Sequence, residues 1–334
     1  MNPAASMPHS LARRALLAGL ALTAALGAVG AHADTWPSRP ITLIVPYSPG
    51  GNVDVMARWV APELAKRLGQ PVVIENAVGA GGVIGTDKAA RARPDGYTLL
   101  LSVESSIVIA RMVTPSTVKY NGLKDFEPVT LLGSQPLVLV GKPELQARDA
   151  QALYAEMKAA PGKYSYATSG VGTSLHLGGE LLKQQGQVSM VHIPYRVGPQ
   201  IVTDLAGNQI DLAVLPLSMV MQQVQAGKIK AFGVLGAASP ALPGIPSISA
   251  VQAWKGADVP VWQGIFVPTG TDPAIVARLN TELLDVLKQP ELMKKFDDTG
   301  VTRMALGPKE FAAFLRREDA KFSAVVSRGK ITAE

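Results

Sequence analysis

Apolar positions along this chain fall into two rhythms, short unbroken runs and longer stretches with a step of three or four. The run "ITLIVPY" (41 to 47) is β-branched and aliphatic and is bounded by Pro40 and Pro49-Gly50-Gly51, which predicts a buried strand. Past that turn, Val53, Met56, Ala57, Val60, Leu64 and Leu68 share one helical face that ends at Gly69, and Pro62 inside the pattern should kink the helix. "PVVIEN" (71 to 76) reads as a second strand, "VGAGGVIG" (78 to 85) as a second glycine turn, and 84 to 93 as a helix stopped by Pro94-Asp95-Gly96. "YTLLLS" (97 to 102) is a third strand. Strands alternating with helices predict a parallel sheet with crossover helices.

The same grammar restarts after a long apolar stretch, 129 to 143, whose Gly133 and Pro136 suit a passage between domains. Beyond it come a helix (148 to 159), a strand "YSYAT" (164 to 168), a glycine turn "SGVGTS" (169 to 174) and a helix (175 to 185). Further strands follow at 189 to 195, 210 to 216 and 230 to 236, with helices at 200 to 205 and 217 to 225. "WQGIFVPTGT" (262 to 271) reads as the return crossing, because two amphipathic helices (273 to 289 and 308 to 326) follow it with no strand pair able to build a third lobe. They should pack on the first lobe. The expectation is an α/β chain of two lobes, each a parallel or mixed sheet flanked by helices: 34–136 with 265–334, and 137–264, with a cleft between them.

The leader changes where this fold starts. Arg13 and Arg14, an apolar stretch from Ala15 to Gly30 and the small-residue end Ala31-His32-Ala33 read as a signal peptide over 1–33, too short to span a bilayer, so a soluble, exported mature chain is expected. The arginine pair also suits the twin-arginine route, but the residues after it fit that signal only loosely. Removing the leader takes two arginines and no acid, lowering the formal net charge from +6 to +4. Basic residues are dispersed and aromatics are 5% of the chain, which argues against nucleic-acid binding, while a mild positive field can steer small anions. With no cysteine there is no disulfide framework, thiolate metal site or lipid anchor, and the expected mature protein is a monomer that is not embedded in the membrane.

Three times a strand runs into a glycine-rich turn that opens a helix, at Ser48 to Asp54, Gly79 to Gly85 and Ser169 to Ser174. Helix starts carry amides without internal partners and partial positive charge, so turns of this kind on two lobes suggest a cleft that grips a small anion. The run from "WPSRPITLIVPYSPGGNVDVMARWV" through "NAVGAGGVIGTDKAARARPDGYTLLL", with "SGVGTSLHLGGELL", "VHIPYR", "DLAGNQIDL", "AGKIKAFGVL" and "WQGIFVPTGT", resembles the periplasmic solute-binding component of tripartite tricarboxylate transporters, the Bug family, from about Trp36 to the C-terminus. The resemblance implies a two-lobed, type II periplasmic binding fold that closes on a small carboxylate and delivers it to membrane transporter subunits, without a cofactor. Carried over residue by residue, it implies a carboxylate held by Tyr47, Ser48, Gly50 and Gly51, with Asp54 fixing that loop. Gly81 and Gly82 would form the cleft wall, and Thr168, Gly172, Thr173, Ser174 and His176 would supply the second lobe. Tyr195 and Arg196 would line the cleft, and Ser102 and Ser106 at the end of the third strand complete the candidates.

Departures leave the ligand open. "SVESSIVIARMV" brings Glu104 and Arg111 where the family carries small polar residues. A Glu104 facing the cleft would repel a second carboxylate or pair with a ligand ammonium, but a solvated loop charge is the preferred expectation, because acids are seldom buried unpaired. The rival enzyme reading is a nicotinamide-dependent oxidoreductase with its dinucleotide at 79–85. It is weak, because Gly79, Gly81, Gly82 and Gly85 miss the G-x-G-x-x-G spacing. A hydrolase lacks the G-x-S-x-G elbow, and with only His176 and His192 in the mature chain no metal site is expected; both read as structural histidines.

Overall fold

Burial, rather than alternation, organises the first strand: β1 (Ile41–Val45) has every residue but Thr42 enclosed, as a central parallel strand covered on both faces requires. The computed structural model describes residues 36–329 with 331 and 332, and residues 39–334 form one compact unit. The expected leader, 1–33, lies outside the described residues. Helix α1 (Asn52–Leu68) buries Val53, Met56, Ala57, Val60, Ala61, Leu64 and Leu68 and stops at Gly69, whose φ of 71° forms a left-handed cap. It runs through Pro62 as one helix, since that residue sits on the exposed face, where the carbonyl its ring leaves unbonded stays solvated.

A short 3₁₀ turn (Ala80–Gly82) and α2 (Val83–Ala90) lead from β2 (Val72–Asn76) to β3 (Thr98–Val103), and both strands flank β1 in parallel. Three antiparallel strands complete the sheet: β10 (Val261–Pro268) beside β3, β4 (Phe126–Gln135) next, and β11 (Thr302–Leu306) at the edge. Every residue of β10 is buried. Its Gly264 is dictated by packing, because a Cβ there would come within 2.3 Å of the Phe311 ring.

The second sheet has the order β7-β6-β8-β5-β9, from β5 (Leu137–Gly141), β6 (Tyr164–Thr168), β7 (Met190–Pro194), β8 (Leu212–Pro216) and β9 (Lys230–Leu235). Around it lie α4 (Ala150–Ala159), α5 (Ser174–Gly186), α6 (Gly198–Ala206) and α7 (Leu217–Gln225). Pro136 alone separates β4 in one sheet from β5 in the other; its carbonyl accepts from Leu217 N at 3.1 Å, and the neighbouring Gln135 Oε1 accepts from Ser218 N at 2.9 Å. The chain returns through β10, which joins the first sheet from Val261, earlier than the expected residue 265.

The two expected C-terminal helices, α8 (Pro273–Val286) and α10 (Pro308–Gly329), pack on the first sheet. Asn280 Nδ2 reaches Val129 O at 3.0 Å, Arg67 of α1 pairs with Glu282 at 2.7 Å, and Trp262 Nε1 donates to Glu318 Oε2 at 3.1 Å. Pieces without a counterpart in the sequence reading include β4 and β5, read there only as an apolar passage, α9 (Pro290–Thr299), β11, and a helical stretch after β3 that is π-type over Ser105–Ile109 and α-helical (α3) over Ala110–Val113.

Candidate functional site

Strand ends β1, β2, β3, β6, β7 and β8 all open on one cavity of about 900 Å³ between the sheets. Its walls include the starts of α1, α2, α5 and α6, so the dipoles of four helices of eight or more residues converge there. Nine of the expected site residues line it: Tyr47, Ser48, Gly51, Gly81, Gly82, Gly172, Ser174, Tyr195 and Arg196. Gly81 and Gly82 have φ of 62° and 99°, and a Cβ on Gly82 would fall 2.6 Å from the Tyr47 hydroxyl. Glycine is therefore needed where the second turn passes under that ring. Tyr47 donates to Gly81 O at 3.3 Å, and burial holds its phenol proton well above the usual range. Tyr195 offers the cavity its ring rather than its hydroxyl, which donates to Asp204 Oδ2 at 2.7 Å.

Six of the other seven lie behind the wall, and Gly50 is exposed beside it. Asp54 is 1% exposed and accepts from Gly50 N at 2.9 Å, Arg58 Nε at 2.8 Å and Asn76 Nδ2 at 2.9 Å. Burial would raise its pKa, but those donors outweigh burial and hold it below the usual carboxylate range. It fixes the loop. Gly50 is spent on that contact, and Gly51 N is likewise directed at Ser48 O at 3.2 Å, so neither glycine amide faces a ligand as expected. Ser102 and Ser106 bond each other at 2.6 Å beneath the cavity. Thr168 Oγ1 pairs with His192 Nε2 at 2.7 Å, and Thr173 caps α5 by accepting from His176 N at 3.3 Å. His176 accepts from Gly172 N at 3.3 Å and stacks on His192 at 4.3 Å, so both histidines are tied into structure.

Of the donors left over, Ser48 was expected, and the others belong to residues the sequence reading did not single out. Among the described residues, the amides of Asn52 and Val53 in the first turn of α1, the amide of Val171 and the hydroxyls of Ser48 and Ser169 have no protein partner, and all five residues line the cavity. Helix geometry points to Asn52 and Val53 directly, since the first helical residues, not the turn glycines, carry the unpaired amides. Arg196 is exposed at the cavity's mouth and, among the described residues, has no ion pair.

Glu104 overturns its expectation. It is no solvated loop charge: it is fully buried and lines the cavity, with Oε2 accepting from Trp262 N at 2.9 Å and Oε1 from Ser105 Oγ at 3.3 Å. Burial lifts its pKa from 4.5 to about 7; the Ser174 hydroxyl and Trp262 amide pull the other way, and Glu318 adds repulsion. Arg111, by contrast, leaves the site and pairs with Asp319 at 2.5 Å. Ser105 also joins the lobes, accepting from Ser174 N at 3.1 Å with its hydroxyl 3.3 Å from that of Ser174.

Residues 56–330 match the model of the tripartite tricarboxylate transporter family receptor. The chain belongs to this family. Protein BugT of Bordetella pertussis is 34% identical over 318 residues, covering 95% of this chain and 97% of that protein. Among solved structures, that of a periplasmic transporter is 36% identical with a TM-score of 0.85, covering 90% of this chain and all of that one. MatC from Rhodopseudomonas palustris, with bound malate, is 28% identical with a TM-score of 0.81, covering 87% of this chain and all of that one. The fold is accordingly the two-lobed α/β periplasmic binding fold, and this family member is a solute-binding receptor, not an enzyme.

The oxidoreductase alternative is thereby set aside, and the geometry of this receptor supplies the physical reason. Gly79 O takes the amides of Gly82 at 3.0 Å and Ile84 at 3.5 Å, occupying donors that a pyrophosphate would need. Among the described residues no three His, Cys, Asp or Glu side chains gather as metal ligands, and no helix is long and apolar enough to cross a membrane.

Proposed function

We propose that this receptor is exported to the periplasm with loss of residues 1–33, captures a small carboxylate between lobe 34–136 plus 261–334 and lobe 137–260, and hands it to membrane transporter subunits as a monomer. The observation that carries this reading is the convergence of unpartnered donors from both lobes, Ser48, Asn52 and Val53 facing Ser169 and Val171, on one cavity. An anion docks on the start of α1, and closure about Pro136 and the approach to β10 completes its hydrogen bonds from the second lobe. Ser48, Asn52, Val53, Gly81, Ser169, Val171, Ser174 and Arg196 form the contact set; Asp54, Thr173 and His176 position it. MatC, whose structure holds malate, lends the ligand class.

Thermal-shift measurement of the mature protein with mono-, di- and tricarboxylates tests the reading, alongside mass spectrometry of small molecules released from natively purified protein. Stabilisation by at least one acid, and an acid among the released molecules, are the expected results. A protein stabilised only by neutral or cationic solutes would refute it.

A further inference from the structure

Of the residues lining the cavity, only Glu104 and Arg196 carry a full charge, and they differ in depth: Arg196 is exposed at the mouth while Glu104 is wholly enclosed at the floor. Such a polarity is unusual for a site that is otherwise a set of hydrogen-bond donors, because a second ligand carboxylate reaching the floor would meet another carboxylate in a poorly screened environment. Every donor to Glu104 is neutral: Oε2 takes the Trp262 amide at 2.9 Å, Oε1 the Ser105 hydroxyl at 3.3 Å, and the Ser174 hydroxyl and its own amide also act on the carboxylate, so its charge is hydrogen-bonded but not neutralised. The groups that face it from neighbouring elements are the neutral Ser105, Ser174, Tyr47 and the Trp262 amide, with Glu318 of α10 adding negative charge; among the described residues no cation stands against it. A buried acid of this kind lacks a counter-charge that a ligand can bring.

We propose that Glu104 sets the ligand class of this receptor: the cavity takes an acid that carries a hydrogen-bond donor, an ammonium or amide N–H, at the end remote from its carboxylate. The donor rests on Glu104 at the floor, and the carboxylate on the first turn of α1 and the Arg196 side. A dicarboxylate enters only together with a proton, which resides on Glu104 and lets that acid donate O–H to the ligand's inner carboxylate. The inference rests on the carboxylate reading above.

Calorimetric titration of the mature chain with succinate, glutarate and adipate, and with their amino counterparts γ-aminobutyrate, δ-aminovalerate and ε-aminocaproate, tests it. At about pH 8 the amino member of at least one pair binds about tenfold or more tightly than its dicarboxylate partner, and the dicarboxylate gains about tenfold in affinity per pH unit as pH falls toward that of Glu104 protonation, while the amino acid does not. Glu104→Gln keeps an acceptor for the Trp262 amide and turns an N–H₂ toward the remaining contact, so it reverses the order and removes the pH dependence of dicarboxylate binding. The wild-type pH series stands by itself should that variant fold poorly. Acids that bind with no preference within pairs and no proton linkage overturn this inference and leave the carboxylate reading intact; if none of the six binds at any pH, both fall.

Discussion

Replacing Glu104 by Gln should stabilise the ligand-free protein increasingly as pH rises from about 4.5 to about 7. Lifting the carboxyl from 4.5 to about 7 corresponds to roughly 3 kcal/mol of preference for its protonated form in the folded chain. Because the folded value lies above the unfolded one, this favourable difference is complete below about pH 4.5 and is lost as pH rises through about 7. The substituted amide is neutral throughout and still accepts from Trp262 N, so the variant escapes the loss. With about 2.1 cal/mol/K of unfolding entropy per residue over roughly 300 residues, 3 kcal/mol moves the midpoint by about 5 °C. Differential scanning calorimetry of both proteins from about pH 4 to about pH 8 should give midpoints that nearly coincide at the acid end and diverge to about that gap at the alkaline end. His192, whose value burial and then His176 depress to about 4, makes both proteins less stable as pH falls from 6.5, but it is common to the pair and cancels in the difference. A gap that stays constant with pH would refute the assignment of Glu104 as an uncompensated buried acid.

The other predictions concern the loops. Gly81→Val forces a β-branched residue to a φ of 62° and sets its Cβ 3.3 Å from the Thr173 methyl of the opposite lobe, so ligand affinity measured by calorimetry should fall about tenfold or more; an unchanged Kd would show that the lobes do not meet there in the bound state. Ser105→Ala removes the hydroxyl that takes the Ser174 amide, about 1 kcal/mol, and should weaken binding about fivefold. Equal affinities would exclude a role for that link in closure. Asp54→Asn loses the charged acceptor of the Gly50 amide and should cost about 2 kcal/mol at neutral pH, measured by urea unfolding. Since the folded carboxyl sits below its ordinary 3.8, the contribution is present above that value and disappears as pH falls through the folded one, so the two proteins should converge in strong acid.

Much of the frame was legible because each element repeats its own period. Val53 to Leu68 spell out a helix face without reference to any distant residue, and "ITLIV" is a buried strand by composition. What escaped was structure that depends on long-range pairing. β11 is an edge strand with Thr302 and Arg303 exposed and exists only because β4 is there to bond it; α9 carries just Leu292 and Phe296 inward among ten residues. At the site, the glycine turns drew attention to the right places but to the wrong atoms. Glycine permits the turn, and Gly50 and Gly51 then consume their own amides, leaving Asn52 and Val53 to offer the donors. Glu104 was misread because the residues after β3 carry no turn or helix signal; in the structure they coil as a π-type segment that buries Ser106 downward and leaves Glu104 and Ser105 on the cavity.

These placements bear on why capture should depend on a ligand at all. Beside the cavity, among the described residues, the lobes touch through small groups, Gly81 against Thr173, Gly172 against Val113 and the Ser105–Ser174 pair, and of these contacts the last is a hydrogen bond. Gln135 to Ser218 also bridges the sheets, but it lies beside Pro136 and moves with the crossing itself, so opening need not break it. One hydrogen bond supplies about 1 kcal/mol, whereas carrying an equilibrium from 1:99 open-favoured to 99:1 closed takes about 5.5 kcal/mol. A carboxylate that collects two or three donors from the far lobe, each worth about 1.5 to 3 kcal/mol because the acceptor is charged, covers that difference; a neutral solute of the same shape, at about 1 kcal/mol per bond, does not. The charge requirement thus follows from the sparse contact beside the cavity: there the closed state is left short by an amount that an anion makes up and that little else of this size can.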